Sequence, residues 1–424
     1  MIEFLNITLS FIIFFIFSSF FKKNNENVFN SKINSIVYLI SFFLLISFLK
    51  LNHLFVFLFL IFLRFFFLIF INKKNDIFFS VKNNLLFFCT FFLVFFILST
   101  DVASNSKLSW DAQNYFFEKV IIFKEQFSFD ELKNNGAAHY PHLSEYLWSF
   151  FWTVSSLNNG QEYLGRIFFI YVYLLSIIYL VNHSSIKENF KIFFFLFVVI
   201  ISYKSNYFSG NLETLAFSLL IILSVDVNKI LIRKDFENKI PKILLTIFCL
   251  VWTKNELVLI VFINLFLFWI FSRYKKNKIV IYLFIPFLFF ILTRFLFNFY
   301  YGFEGVDYQF NETLNFSIDY LIRGILLITE EMVKGIFKNL ILLFSLIFII
   351  SNFIAEKKNI FYKFQLVQGL LYLIFIYIAF LFNMPNVEFQ VKSSIDRVMF
   401  IFSGSLLVSI NYFLITRFKF LRNN

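Results

Sequence analysis

Hydrophobic residues run along this chain in long blocks, and polar residues collect in short breaks between them. The blocks occupy about residues 1–21, 33–49, 51–71, 84–100, 165–182, 191–203, 212–227, 243–253, 256–271, 279–297, 340–355, 364–382 and 398–416. A helix of about 20 apolar residues crosses the roughly 30 Å hydrocarbon core of a bilayer, and most of the blocks reach or approach that length. The pattern predicts an all-α, polytopic membrane protein with about 13 transmembrane helices. A further block, 143–157, is short and carries Tyr146, Trp148 and Trp152. It reads as an interfacial or re-entrant helix, because aromatic residues favour the membrane boundary.

Composition agrees with that class. Of 424 residues 60% are hydrophobic and only 15% charged, against about 25% charged in soluble domains. The net charge of +12 comes from 38 Lys and Arg against 26 Asp and Glu, and its distribution matters more than its size. Leaving 143–157 out of the crossings gathers 22–32, 72–83, 183–191, 228–242, 272–278, 356–363 and the tail after Thr416 on one side. These short segments hold most of the bases and few of the acids, so they are expected to be cytoplasmic. The long stretches 101–164 and 298–339 then face outward, and no nucleic-acid role is expected. The first apolar block lacks a basic start and a small-residue cleavage site, so it is expected to be a retained helix. Cys89 and Cys249 lie inside apolar blocks and read as small buried hydrophobes.

Charged residues beside a membrane are costly, about 2.5–3.5 kcal/mol each at a helix centre, so clusters there point to chemistry. Trp110-Asp111 opens a segment in which Asp111, Tyr115, Glu118 and Lys119 share one helical face; the bland alternative makes Asp111 a helix cap. His139-Tyr140-Pro141-His142 precedes the 143–157 block, where two solvated histidines are the alternative. Asn211 and Glu213 open an apolar helix, where an acid also suits the helix dipole. Lys254, Asn255 and Glu256 interrupt a long apolar run, so the chain must turn back there, in a recess that suits an anionic headgroup. An internal Lys254–Glu256 pair is the alternative. Asp396-Arg397 precedes the last block, and Arg397 there is either a phosphate clamp or a rim charge.

Three of these segments resemble the GT-C glycosyltransferases, multi-pass enzymes that use polyprenyl-phosphate sugars, such as the dolichyl-phosphate-mannose mannosyltransferases. They are the Trp110-Asp111-Ala112 start with Tyr115, Lys119 and the later Tyr140-Pro141; Glu213 with Leu215, Ala216 and Phe217; and Thr253-Lys254-Asn255-Glu256. The departures are His142 after Tyr140-Pro141, and Asn211 and Glu213 where Asp is commoner. The resemblance covers about residues 84–416. It implies a catalytic domain over 84–424 with outer loops 101–164 and 298–339, and accessory helices over 1–83.

The resemblance further implies sugar transfer with inversion on the extracytoplasmic face of a bacterial inner membrane, from a polyprenyl-phosphate-linked donor to a glycan, lipid or protein hydroxyl. Asp111 is then the catalytic base. Trp110, Tyr115, Lys119, His139, Tyr140, His142, Asn211, Glu213, Lys254, Asn255, Glu256, Asp396 and Arg397 are the substrate-binding candidates. No cofactor is expected, and a divalent cation near Asp111 and Glu213 is not favoured. An O-antigen polymerase or ligase and a lipid or sugar transporter are the competing readings.

Overall fold

The computed structural model describes residues 2–19, 28–70, 85–105, 107–126, 129–155, 161–183, 186–210, 212–232, 239–271, 277–303, 318–356, 359–382 and 387–417. Among them there is no β-strand. The first half comprises α1 (Ile2–Phe17), α2 (Val28–Ser47), α3 (His53–Phe70), α4 (Leu85–Ser104), α5 (Phe117–Glu125), α6 (Leu143–Ser155), α7 (Tyr163–Asn182), α8 (Glu188–Ser202) and α9 (Glu213–Ile232). The second half comprises α10 (Ile240–Val251), α11 (Glu256–Phe271), α12 (Asn277–Tyr301), α13 (Ile318–Lys338), α14 (Leu340–Ala355), α15 (Ile360–Phe382), α16 (Val387–Leu406) and α17 (Val408–Arg417).

Each of the thirteen apolar blocks falls on helical residues, the last divided between α16 and α17, and over the described residues not every one of these helices has full spanning length. Among the described residues, six helices are long and apolar enough to cross a membrane, namely α2, α4, α7, α9, α12 and α15. The number rises to eight if the bent pairs α13–α14 and α16–α17 each count once. The helices α1, α3, α8, α10 and α11 are apolar but shorter over their described residues. The described residues form an all-helical architecture, and its long apolar helices make the chain a multi-pass membrane protein.

The centre of the bundle is α7 and α9. Helices that are apolar all round must be surrounded by other helices or by lipid, and these two are enclosed by protein, whereas α12 is mostly exposed. Rings fill the space: Phe151 stacks on Phe168 at 3.9 Å, and Phe14 meets Phe151 edge-on at 5.1 Å. Each such pair adds about 0.5–1.5 kcal/mol beyond burial. Polar side chains join helices where water is absent. Asn264 donates to Tyr372 Oη at 2.7 Å, and Gln368 donates to Asn264 Oδ1 at 2.5 Å, tying α11 to α15.

The amino-terminal helices share this core. Ser18 bonds Tyr171 at 2.6 Å, Ser41 meets Cys249 Sγ at 3.2 Å, and Ser47 shares a hydrogen bond with His142 at 3.0 Å. The domain boundary expected at residue 83 lies outside the described residues.

Two regions differ from expectation. The helix α6 has 13 residues, about 20 Å, too short for a crossing, yet Tyr146 and Trp148 are not interfacial anchors. They are fully buried, because α6 packs against α7 so closely that a Cβ on Gly165 would stand 2.2 Å from the Trp148 carbonyl oxygen. The stretch 298–339 is not simply a polar loop, since its second half is the amphipathic helix α13. That helix meets α14 at 94°, buries Gly324, Ile328, Met332 and Gly335, and turns Glu330 and Lys334 outward with an ion pair at 2.6 Å.

Candidate functional site

Segments distant in sequence meet at one end of the bundle. The Ser109 N–H donates to the Ser209 carbonyl at 2.8 Å, and the Leu143 N–H to the Trp252 carbonyl at 3.2 Å. Asn298 Nδ2 donates to the His139 carbonyl at 3.1 Å, and Lys204 Nζ to the Lys338 carbonyl at 2.9 Å. Asp111 enters on a π-helical turn, Ala112–Phe116, that leads into α5; such turns are frequent at functional sites. Ala112 and Phe116 pack with Leu212 in a small apolar cluster, which brings the Asp111 turn against the start of α9.

Gly210 makes that approach possible. Its φ of +89° is the left-handed region, and a Cβ there would lie 2.7 Å from Ala112 Cβ and 2.9 Å from the Trp148 ring. Glycine alone accepts that backbone without strain.

The result is a chain of alternating charges. Arg397 on α16 donates through Nη1 to Asp111 Oδ2 and lies 3.8 Å from Glu213 Oε1. Glu213 in turn accepts from Lys254 Nζ at 2.9 Å, and Glu256 lies 3.5 Å from the same ammonium. Three carboxylates and two cations from four separate segments are thus contiguous. Burial is graded: the Glu213 side chain is 1% exposed, Lys254 8%, Arg397 21% and Asp111 28%. Burial alone would lower the Lys254 pKa, but the Glu213 and Glu256 carboxylates outweigh it and hold it above the ordinary value. Among the described residues no group of three His, Cys, Asp or Glu is placed to hold a metal. Arg397 stands where a cation bridging Asp111 and Glu213 would have to sit.

The remaining candidates divide. Trp110 is exposed and meets Tyr115 edge-on at 5.6 Å on the rim beside Asp111. The Tyr115 carbonyl accepts from Asn135 at 3.1 Å, and a Gly136 Cβ would stand 3.3 Å from its ring. Asp396 turns toward α13, 3.9 Å from Lys338, and is not in the charge chain. Asn211 lies outside the described residues.

Lys119 and His142 serve the protein interior. Lys119 Nζ donates to the Tyr140 carbonyl at 3.0 Å and lies 3.8 Å from Glu145, both side chains fully buried. Burial pushes Lys119 down and Glu145 up from their ordinary values. Besides its bond to Ser47, His142 is packed among the rings of Phe48, Trp252 and Phe297 at 5.1–5.3 Å. Burial, aided by Lys119 and Arg294, lowers its pKa to about 3, so the ring is neutral.

Next to the charge chain, Asn255 and His139 border an open groove of about 840 Å³ between α11 and α12. Arg294 and Asn298 also border it, and neither was among the expected site residues. The signal was present: 287, 291, 294 and 298 follow the 4-3-4 spacing of one helical face. No family model matches the chain, and no curated protein or solved structure matches it either.

Proposed function

We propose that the chain is a membrane glycosyltransferase that moves a sugar from a polyprenyl-phosphate donor to an acceptor hydroxyl on the extracytoplasmic side, with about thirteen crossings of a bacterial inner membrane. The observation that supports it best is the convergence of Asp111, Glu213, Glu256, Lys254 and Arg397 at one end of an apolar bundle, beside an open, largely apolar groove. Such transfer needs a base for the acceptor hydroxyl and fixed positive charge for the departing phosphate.

Asp111 is the base in this reading. Arg397 holds Oδ2, which fixes the carboxylate and leaves Oδ1 for the hydroxyl proton. As the hydroxyl oxygen bonds the anomeric carbon, the carbon–phosphate oxygen bond breaks on the opposite face and the anomeric centre inverts. Glu213 is a positioning residue: it anchors Lys254 and draws Arg397 toward the site, while its burial keeps it from substrate. The exposed Trp110 and Tyr115 offer the acceptor an aromatic rim.

The test is transfer of labelled sugar from polyprenyl-phosphate donors by purified protein in liposomes. Asp111→Asn keeps the shape and the Arg397 contact but removes the base, so turnover should fall about 10²–10⁴-fold with folding intact. Wild-type turnover in that variant would reduce Asp111 to a structural partner of Arg397.

A further inference from the structure

The helix α13 carries more apolar surface than the bundle covers. At 3.6 residues per turn its side chains fall into three sectors. Gly324, Ile328, Met332 and Gly335 are buried against the bundle. Ile322, Ile325, Leu326 and Val333 lie on a second side and are exposed. Arg323, Glu330 and Lys334 lie on a third side and are exposed as well. A helix packed on a protein surface in water has an inner apolar face and an outer polar one, so a second apolar face, uncovered by protein, calls for a neighbour other than water.

The place of α13 in the fold identifies that neighbour. A Cβ on Gly324 would stand 2.8 Å from the Leu381 side chain in the last turn of α15, and one on Gly335 would stand 2.7 Å from Met399 Sδ and 2.9 Å from Asp396 Oδ1 on α16. The helix thus passes over the end of α15 and on to α16. Thr329 and Tyr377 share a hydrogen bond at 2.8 Å, and beside Tyr377 begins the exposed apolar stripe of Ile378, Ile374 and Leu370 on α15. Since α15 is long and apolar enough to cross a membrane, that stripe faces lipid, and the uncovered side of α13 continues it. The 94° bend to the apolar α14 turns α13 across the direction of the helix that follows it.

We infer that α13 lies in the plane of the membrane surface, with Ile322, Leu326 and Val333 in the lipid and Arg323, Glu330 and Lys334 in water. Helices of this kind bury their apolar side about 5–10 Å into the boundary between headgroups and acyl chains. The attraction is apolar burial rather than headgroup charge, because the helix balances three acids, Asp319, Glu330 and Glu331, against three bases, Arg323, Lys334 and Lys338. Gly335 packs on Asp396, the chain neighbour of Arg397. Through that contact α13 holds Arg397 and Asp111 at the level of the lipid surface, whatever reaction they serve.

The experiment places a nitroxide on single cysteines of the full-length protein, with Cys89 and Cys249 replaced by Ser, in phosphatidylcholine vesicles. Ile322→Cys and Val333→Cys probe the apolar side, and Arg323→Cys and Lys334→Cys the charged side. Power saturation of the spin signal compares collision with oxygen, which concentrates in lipid, and with a nickel chelate, which stays in water. Oxygen should dominate at 322 and 333, and nickel at 323 and 334. Positions 322 and 333 are 11 residues apart, about 16 Å along the axis; a helix lying in the surface gives them equal depth, whereas a crossing helix separates their depths by up to that length. Adding phosphatidylglycerol should leave both depths unchanged. Leu326→Cys and Phe337→Cys, with the same separation on the same side, repeat the comparison if either of the first pair does not fold. Unequal depths overturn the inference, as do nickel dominance on the apolar side and insertion that requires phosphatidylglycerol. Weak collision with both reagents at 322 and 333 overturns it too, since a second copy of the chain or another protein would then cover this face.

Discussion

Replacing Lys254 by Met tests whether a buried carboxylate is held by its neighbours. Glu213 is 1% exposed and faces two cations, Lys254 at 2.9 Å and Arg397 at 3.8 Å. At an effective dielectric constant of about 20 those attractions are about 6 and about 4 kcal/mol before desolvation is subtracted. Lys254→Met removes the nearer one and strands the carboxylate. Breaking a buried pair costs about 3–5 kcal/mol, and the surviving Arg397 contact keeps the loss near the lower figure.

Glu213→Gln is milder, because Lys254 keeps Glu256 at 3.5 Å, a group 26% exposed. The double variant orphans neither charge and should regain at least about 2 kcal/mol relative to the sum of the single losses. Thermal unfolding in one detergent, followed by tryptophan fluorescence, measures this cycle, and Trp252 lies two residues from the substituted position. A Lys254→Met midpoint equal to wild type, or a double variant that loses the sum, would refute the argument that Glu213 depends on this pairing.

Other outcomes follow from the same geometry. Gly210→Ala should separate the Asp111 turn from α9, lowering transfer by at least tenfold and the thermal midpoint as well, since its Cβ meets Ala112 at 2.7 Å on a φ of +89°; unchanged activity would mean that the approach is not needed. His142 is held neutral with a pKa of about 3 against an ordinary 6.5, so unfolded chains take up the proton first as pH falls. Stability attributable to it is full above about pH 6.5 and declines by up to about 1.4 kcal/mol per pH unit down to about pH 3; His142→Phe should flatten that limb in thermal scans, and an unaltered acid limb would show that the ring does not titrate in this window. In a cysteine-free background, a membrane-impermeant thiol reagent added to whole cells should label cysteine at Lys392 and not at Lys187 or Glu356. The reverse pattern would invert the orientation and place the charge chain in the cytoplasm.

What was legible beforehand was what repeats along the chain. Apolar blocks announce helices through run length, so every block fell on helical residues, and the short blocks 243–253 and 256–271 already matched α10 and α11 closely. The amphipathic helix α13 was hidden, because its polar face makes the stretch read as polar. Local charge pairing was legible too: Lys254 and Glu256 are close, as their spacing indicates. The stronger partner, Glu213, is 41 residues away, and nothing in the order of residues marks a contact made by two helices meeting. The same limit applies to Lys119 and His142. Lys119 reads as part of a helical face with Asp111, and His142 as a solvated group, until α6 and its aromatic neighbours enclose them. Arg294 is the opposite case, since its one-face spacing with Phe287, Ile291 and Asn298 was readable, but only the facing helix α11 shows that this face borders a groove.

The helix α10 also works as a ruler. It spans 12 residues, about 18 Å at 1.5 Å per residue, and Lys254 sits just past its end. One residue added or removed within α10 would shift that end by about 1.5 Å and turn it by about 100°, swinging the ammonium off Glu213 with every charged residue still present. Most substitutions along its lipid-compatible surface would leave this measure intact. The position of the cation is therefore encoded in a count of residues rather than in their identity, and a single insertion or deletion is a more damaging event here than most replacements.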